Sequence, residues 1–338
     1  MRECILIRVI ATLPLVVALW CGSPPELRDP FFDESAKEAF RETLKQSTLG
    51  RHDAAESFAR NWSGAKTPEG RILVAVAGLS RFADLHDPAA LERARSALSD
   101  ALERLDGRTA PRERFLLSLV YSQDSYLASL EGRNLTSAYS GRKAANLCQA
   151  LQSEGFDTPD LKGIVGGYMF WKAQSLGPLR FAMGGDTRDM GLEWTRSAAA
   201  SLSPFQEAYR TSLMWIYFER KEYAQGLAMA RTGLAFCPGN RLYRQAEGDM
   251  LFRLGRFQEA LEVYRSSWRE YVGLETIPAN RLAAAGNLAR IHIQLGHADS
   301  AKAWLDTLDA DRYKTAKKWL PPSLIRELVP VRKDLGRD

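Results

Sequence analysis

Histidine is the side chain used most often for metal binding and proton transfer, and this sequence has four, His52, His86, His292 and His297. His292 and His297 are five residues apart, which is a poor spacing for sharing one helical face and does not match the His-Glu-x-x-His pattern of zinc sites. No two cysteines stand at metal-ligand spacing. The sequence therefore predicts no metal site.

Three short motifs are similar to catalytic motifs, but none has the neighbouring strand or partner residues that would make it specific. Ser140-Gly-Arg-Lys143 matches Ser-x-x-Lys, a pattern short enough to occur by chance. Gly163-Ile-Val-Gly-Gly167 follows no predicted strand, so close helix packing explains its glycines better than nucleotide binding does. Gly184-Gly-Asp186 is similar to a signature of cyclic-dinucleotide cyclases but lacks the acidic partners. We expect no catalytic residues and no cofactor.

The composition is that of a folded protein with a small positive charge. The 338 residues are 45% hydrophobic and 26% charged, and 46 basic against 41 acidic residues give a net charge of +5. A charge this small does not indicate nucleic-acid binding. The tail over residues 312–338, which contains Lys314, Lys317 and Lys318, is interrupted by acidic residues. We expect it to form a solvated helix that caps the fold.

The start of the chain, up to Cys21, has the pattern of an export signal. Arg2 and Arg8 accompany an apolar run, Val9–Trp20, which is shorter than the roughly 20 residues that span a bilayer. Cys21 follows directly and resembles the lipid-attachment site of bacterial lipoproteins. We expect an exported chain in the periplasm or at the outer membrane, tethered only through an N-terminal lipid on Cys21. The alternatives are an uncleaved apolar anchor and a wrongly assigned start of the chain.

Small residues recur in the second half of the chain at the length of a helical hairpin. Two helices of about twelve residues with two short turns use roughly 34 residues. Gly226 and Ala260 are separated by that length, and each precedes a leucine. Gly191 stands nearly the same distance before Gly226, and Ala301 follows Ala260 at that distance plus about two helical turns. The spacing predicts stacked hairpins in which the small residue lets the second helix lie close to its partner.

These units resemble the tetratricopeptide repeat over about Ser203–Leu308. The resemblance implies a helical solenoid that binds a protein or peptide and performs no catalysis. The matching positions are Leu213, Tyr217, Gly226, Ala230, Gly233 and Pro238 in the first unit, Gly248, Leu251, Ala260 and Tyr264 in the second, and Leu288, Ala289, Ala301 and Leu305 in the third.

The first half of the chain shows recurrent helix starts. Thr67-Pro68, Asp87-Pro88, Thr158-Pro159 and Ser203-Pro204 each place a capping side chain before a proline. The sequence predicts an all-α, right-handed superhelical array of six or seven antiparallel helix hairpins, with contacts only between successive hairpins. The predicted organisation is a signal over residues 1–21, a linker over 22–33, irregular hairpins over 34–160, repeats over 161–310, and a capping helix with a basic tail over 311–338.

In the tetratricopeptide family the first helices of the hairpins line a concave groove that holds the ligand. Trp215 and Phe218 could anchor a peptide there, or pack as core between repeats, since their three-residue offset gives one stripe. The resemblance assigns the groove to Thr211, Trp215, Phe218, Glu219, Gln245, Asp249, Phe252, Arg253, Arg290 and Gln294.

One hairpin carries an unusual loop, Gly177–Asp186, with a Gly-Pro break and a Gly-Gly pair. It suggests an alternative function, a small-ligand or transporter-accessory protein whose pocket is closed by Trp171, Arg180, Arg188 and Trp194. The competing interpretation is an irregular turn with packed aromatic residues. The favoured prediction is an interaction scaffold of a bacterial cell envelope that binds a protein or peptide and no nucleic acid.

Overall fold

The protein folds into helices joined by short turns. The computed structural model describes residues 30–182, 185–272, 279–310, 320 and 322–336, and these contain fifteen α-helices, one 3₁₀ helix and no strand. None of the helices in these segments is long and apolar enough to cross a bilayer. The helices are α1 (Glu34–Thr48), α2 (His52–Asn61), α3 (Pro68–Leu85), α4 (Pro88–Leu105), α5 (Pro111–Leu130), α6 (Asn134–Ser153), α7 (Pro159–Leu176), the 3₁₀ helix (Gly177–Phe181), α8 (Arg188–Ala199), α9 (Gln206–Glu219), α10 (Tyr223–Phe236), α11 (Arg241–Arg253), α12 (Phe257–Glu270), α13 (Ala279–Gln294), α14 (Ala298–Asp309) and α15 (Pro322–Asp334).

The first fourteen α-helices pair into seven antiparallel hairpins, from α1–α2 to α13–α14, and successive hairpins pack against one another. The predicted all-α architecture is therefore confirmed. A single hydrophobic cluster extends from Phe31 to Tyr217, across the boundary between residues 160 and 161 that the sequence suggested. The hairpins on either side of that boundary share one core.

Three of the four predicted helix starts are confirmed. The side chains of Thr67, Asp87 and Thr158 accept hydrogen bonds from backbone N–H groups of the first turns of α3, α4 and α7, and each helix has proline at its first position. The Ser203 start is displaced, because α9 begins at Gln206. Ser203 caps the turn that precedes α9 instead, accepting a hydrogen bond from the backbone N–H of Phe205 at 2.9 Å.

Glycines allow helices to cross at close range, as the sequence suggested. A Cβ atom on Gly166 of α7 would lie 2.9 Å from the carbonyl oxygen of Gly191 in α8, and one on Gly191 would lie 2.7 Å from the carbonyl oxygen of Gly166. These backbones cannot move apart without opening the hairpin. Gly226 in α10 makes room for a side chain of the next hairpin, since its Cβ would stand 2.5 Å from Cε of Met250.

The terminal helix α15 packs on the last hairpin. Leu324, Leu328 and Val331 are buried in a cluster with Leu282 of α13, and the leucines of α15 lie against Gly286. The helix thus covers apolar surface of α13 that an array would otherwise expose at its end. Lys314, Lys317 and Lys318 of the predicted basic tail lie outside the described residues, as does the whole export signal with Cys21.

The expectation that contacts stay between successive hairpins is wrong. Phe32 packs edge-on against Phe115 of α5, with ring centroids 5.6 Å apart. Phe40 of α1 packs against Phe205, just before α9, with ring centroids 5.0 Å apart. Phe31 stacks on Phe115 at 4.3 Å. The N-terminal segment therefore lies against the N-terminal ends of first helices from later hairpins.

A second group of long-range contacts joins α3 to the sixth and seventh hairpins. Arg241 of α11 donates from Nε to both oxygens of Asp84, at 3.0 and 3.1 Å, and Tyr271 donates to Asp84 Oδ1 at 2.9 Å. Asn280 of α13 donates to the carbonyl oxygens of Ala83 and Asp84, each at 2.9 Å. The later hairpins therefore meet the beginning of the array, as a rotation of each hairpin relative to the one before would produce.

Candidate partner-binding recess

The C-terminal ends of first helices α7, α9 and α11 form a continuous polar and aromatic row. Gln174 of α7 donates to Glu219 of α9 at 2.9 Å. Phe218, beside Glu219, lies under the guanidinium group of Arg253 in α11 at 5.8 Å from the ring centroid. The predicted groove residues Phe218, Glu219 and Arg253 are thus neighbours across two hairpins.

The row leads into an open recess of about 250 Å³ between α11, α13 and α15. Four of the ten groove residues predicted from the sequence line it, namely Phe252, Arg253, Arg290 and Gln294. The remaining lining residues are Ile293 and the α15 residues Glu327, Pro330, Val331 and Asp334. We call this site the C-terminal recess.

The aromatic side chains of the row are partly buried in the hydrophobic core and partly exposed to solvent. Trp215, Phe218 and Phe252 are half-buried and pack against the second hydrophobic cluster, whose members include Leu227 and Leu251. Trp215 and Phe218 meet edge to face at 5.7 Å. The core interpretation drawn from the sequence is thus observed, while the role of the exposed parts of these rings as a peptide anchor stays a prediction.

Two arginines in the recess share one carboxylate. Glu327 of α15 forms ion pairs with both Arg253 and Arg290. Arg290 is buried: its guanidinium lies 4.2 Å from the centroid of Phe252 and donates to Asn287 Oδ1 at 2.6 Å. Burial lowers the pKa of Arg290, although the negative charge of Glu327 opposes this effect. Burial alone would also lower the pKa of Arg253, but its hydrogen bond to Glu327 and the charges of Glu327 and other neighbouring groups together outweigh burial and raise it.

Asp249, another predicted groove residue, lies one turn before Arg253. Its carboxylate accepts a hydrogen bond from the hydroxyl of Tyr264. Burial raises the pKa of Asp249 to about 6, against the opposing effects of the Tyr264 bond and of the charges on Arg290 and Arg253. The carboxyl therefore changes its charge just below neutral pH.

Two predicted groove residues lie where the N-terminal segment covers the array, a region we call the closed part. Thr211 donates to the carbonyl oxygen of Glu207 at 3.0 Å and contacts the hydroxyl of Tyr243 at 3.3 Å. Gln245 borders a cavity of about 10 Å³ beside Tyr271, close to the smallest space that holds one water molecule. Both positions are toward the N-terminal ends of α9 and α11, where the N-terminal segment covers the array.

Two of the four residues predicted to close the alternative loop pocket bind one carboxylate. Arg180 and Arg188 converge on Asp186, each with Nε donating at 2.9 Å, and these bonds lower the pKa of Asp186, that from Arg188 most strongly. Trp194 is half-buried against the first hydrophobic cluster, and Trp171 meets a neighbouring phenylalanine edge to face. Residues 183 and 184 of this loop lie outside the described residues. The two arginines bind the same acidic residue of the loop, as in an irregular turn.

The contribution of α15 to the recess was not predicted from the sequence. Leu324, Leu328 and Val331 recur at intervals of four and three residues, which is the pattern of a helix that buries one face. That spacing signals a packed helix. It does not show that Glu327, on the same helix, reaches Arg253, 74 residues earlier in the chain.

Comparison with known proteins identifies the repeats at the C-terminal end of the array. The family model for the tetratricopeptide repeat matches residues 251–319, from the end of α11 onward. The chain contains tetratricopeptide repeats. This repeat is typically a non-catalytic interaction scaffold. In the parts of the chain that the structure describes, no group of His, Cys, Asp and Glu side chains is arranged to hold a metal ion.

Solved structures with similar helical repeats share little sequence with this tetratricopeptide-repeat chain. A tetratricopeptide repeat protein from Parabacteroides merdae is 14% identical over 89% of this chain and 100% of its own, with a TM-score of 0.41. The quorum sensor NprR from B. thuringiensis is 14% identical over 90% and 89%, at 0.44. NprR in complex with its cognate peptide NprX is 15% identical over 90% and 86%, at 0.47. No curated protein matches the sequence.

Proposed function

We propose that this protein is a non-enzymatic scaffold that binds a protein or peptide along the row from Phe218 to the C-terminal recess. One observation carries the proposal: a row of half-exposed aromatic and charged side chains, contributed by successive repeats, leads into an open recess of about 250 Å³. Buried aromatic residues and arginines contribute most of the binding energy at protein interfaces. The small net charge of +5 favours a protein partner over a nucleic acid.

The proposal includes export to a bacterial cell envelope. It is supported by the apolar run Val9–Trp20 followed by Cys21. A membrane tether would then consist of a lipid on Cys21 alone. Mass spectrometry of the N-terminal peptide from membrane fractions tests this part. A mature chain that begins at a lipid-modified Cys21 is expected, and an unmodified peptide that runs through Trp20 and Cys21 would contradict it.

Affinity capture tests the binding surface. The full-length chain is immobilised and its partners are compared with those of a Phe218→Ala/Phe252→Ala variant, which removes two aromatic rings of the row. Phe236→Ala is the matched control, because this ring lies at the end of second helix α10 and is 73% exposed. We expect the double variant to lose partners that the control retains.

Folding must be compared in the same preparations by circular dichroism and thermal unfolding. If the folded double variant captures the same partners as the wild type, the row is not the binding surface. Loss of partners by Phe236→Ala as well would place binding on another face of the array.

A further inference from the structure

The charges around the C-terminal recess indicate what kind of group a partner brings to it. Arg253 and Arg290 both bond to Glu327, so two guanidinium groups share one carboxylate. Arg290 is buried and also uses Asn287 and the face of a phenylalanine ring. Asp249 is nearby, but its carboxylate accepts a hydrogen bond from Tyr264 and none from either arginine. Two positive charges therefore face a single directly bonded carboxylate.

Arg253 uses only part of its N–H donors within the protein. A guanidinium group carries five N–H donors. Among the described residues, Arg253 donates only from Nη2, to Glu327, and its side chain is 35% exposed at the recess. Its other N–H groups make no hydrogen bond to the described residues, so a ligand in the recess could accept from them. A carboxylate is the group that best matches a guanidinium edge.

Glu327 can leave this position without any change in the backbone. It lies on terminal helix α15, its side chain is 29% exposed, and its departure needs only a change of rotamer. The buried leucines of the same helix, Leu324 and Leu328, would keep α15 on α13. A competing carboxylate could thus exchange with Glu327 at the arginines.

The residues around the arginines indicate that a ligand also needs an apolar group. Phe252, Ile293 and Val331 line the recess beside them, whereas Asp334 is an exposed carboxylate of the lining. A ligand in the recess would bury an apolar side chain against the first three residues while its acidic group reaches Arg253. The repulsion from Asp334 is screened by water and salt.

We infer that the C-terminal recess binds a peptide segment in which a large apolar residue stands next to an aspartate or glutamate, and that Glu327 occupies the place of that acidic group in the free protein. This inference rests on the proposed function. It adds the class of partner and a built-in competitor, with Arg253 as the residue that recognises the acid.

Peptide display provides the probe. A random-peptide library is selected on the full-length chain, and an enriched peptide is synthesised with its acidic residue and with glutamine in the same place. Both peptides are titrated by fluorescence anisotropy against the wild type, Glu327→Gln and Arg253→Gln. The folding of each variant is checked by thermal unfolding.

We expect enriched peptides to pair an apolar with an acidic residue. Glu327→Gln should tighten binding of the acidic peptide about tenfold, because the internal competitor is gone and a charge-assisted bond replaces it. The same substitution should change binding of the glutamine peptide much less. Arg253→Gln should weaken binding of the acidic peptide about tenfold, and the acidic and glutamine peptides should then bind with the same affinity.

The outcomes separate the two proposals. If peptides bind and lose affinity with Phe218→Ala/Phe252→Ala, but their acidic residue has no effect, the inference is overturned and the scaffold function survives. Enrichment of lysine or arginine instead of acidic residues also overturns the inference, because the partner would then bind Glu327 and Asp334. If the folded wild type selects no peptide, both proposals fail.

Discussion

Asp84 and Arg241 are 157 residues apart, yet the Nε atom of Arg241 lies 3.0 Å from Oδ1 of Asp84. The carboxylate is buried and also accepts hydrogen bonds from His52 at 2.8 Å and from Tyr271. Burial by itself would raise the pKa of Asp84, but the bonds from His52 and Arg241 outweigh it and lower the pKa to about 2. This contact joins the second hairpin to the sixth.

Asp84→Asn tests how much this junction stabilises the fold. We expect the free energy of unfolding, measured with urea, to fall by about 3–5 kcal/mol, because the substitution leaves the guanidinium of Arg241 in a largely buried position without its counter-charge. Glu262→Gln is the control, since it removes an exposed ion pair with Arg265 on α12 and should cost at most about 1 kcal/mol. Equal, small effects of both substitutions would show that the junction contributes little.

The same carboxylate predicts a loss of stability in acid. The pKa of Asp84 is lower in the folded chain than its usual 3.8, so its contribution is fully present above about pH 4 and disappears as the pH falls toward 2. Urea unfolding of the wild type and Asp84→Asn across pH 6 to 2 should give curves that converge in this window. A difference that stays constant to pH 2 would contradict the assigned pKa.

Asp249 predicts the opposite dependence on pH. Its folded pKa, about 6, lies above the usual 3.8, so the native chain binds the proton more tightly and this residue destabilises the fold as the pH rises from about 4 to above 6. Asp249→Asn keeps an acceptor for Tyr264 and removes the charge. We expect it to raise the unfolding free energy at pH 8 by about 1–3 kcal/mol and to have much less effect at pH 4. Parallel curves for the two proteins would refute this.

The crossing of α7 and α8 can be tested with two adjacent glycines. Gly166→Ala places a methyl group 2.9 Å from the carbonyl oxygen of Gly191 and should lower the free energy of unfolding by about 1–3 kcal/mol. Gly167→Ala is the matched control, because a Cβ atom there meets nothing within 4 Å and alanine favours the helix by about 0.5–1 kcal/mol. Thermal unfolding should therefore show opposite shifts, and similar destabilisation by both variants would contradict the close crossing.

The two cysteines in the described part of the chain should differ in reactivity. Cys148 is buried, and burial raises the pKa of its thiol to about 12. Cys237 at the end of α10 is half-buried, and burial raises its pKa less. Because the thiolate is the reactive form, iodoacetamide should modify Cys237 several-fold faster in the native chain. Peptide mass spectrometry would give both rates, and equal rates in urea would supply the control.

The groove residues show what a repeat pattern predicts about a binding surface and what it does not. Phe218 and Phe252 stand one repeat length apart, and the structure places both at the C-terminal ends of successive first helices, as the repeat resemblance implied. Thr211 and Gln245 are separated by the same repeat length, yet they lie in the closed part. The period assigns equivalent positions to each hairpin, but it does not tell which end of the groove another part of the chain covers.

The helices, their pairing into hairpins and the packing of small residues such as Gly166 and Gly226 could be predicted from the residue pattern, because they depend on spacing within about 35 residues. Three features were visible only in the folded chain: Phe32 and Phe40 cover one edge of the array, Asp84 pairs with Arg241, and Glu327 enters the recess. These contacts depend on the accumulated rotation of hairpin on hairpin. Small angles at each interface add up over the array, and no local pattern of residues records their sum.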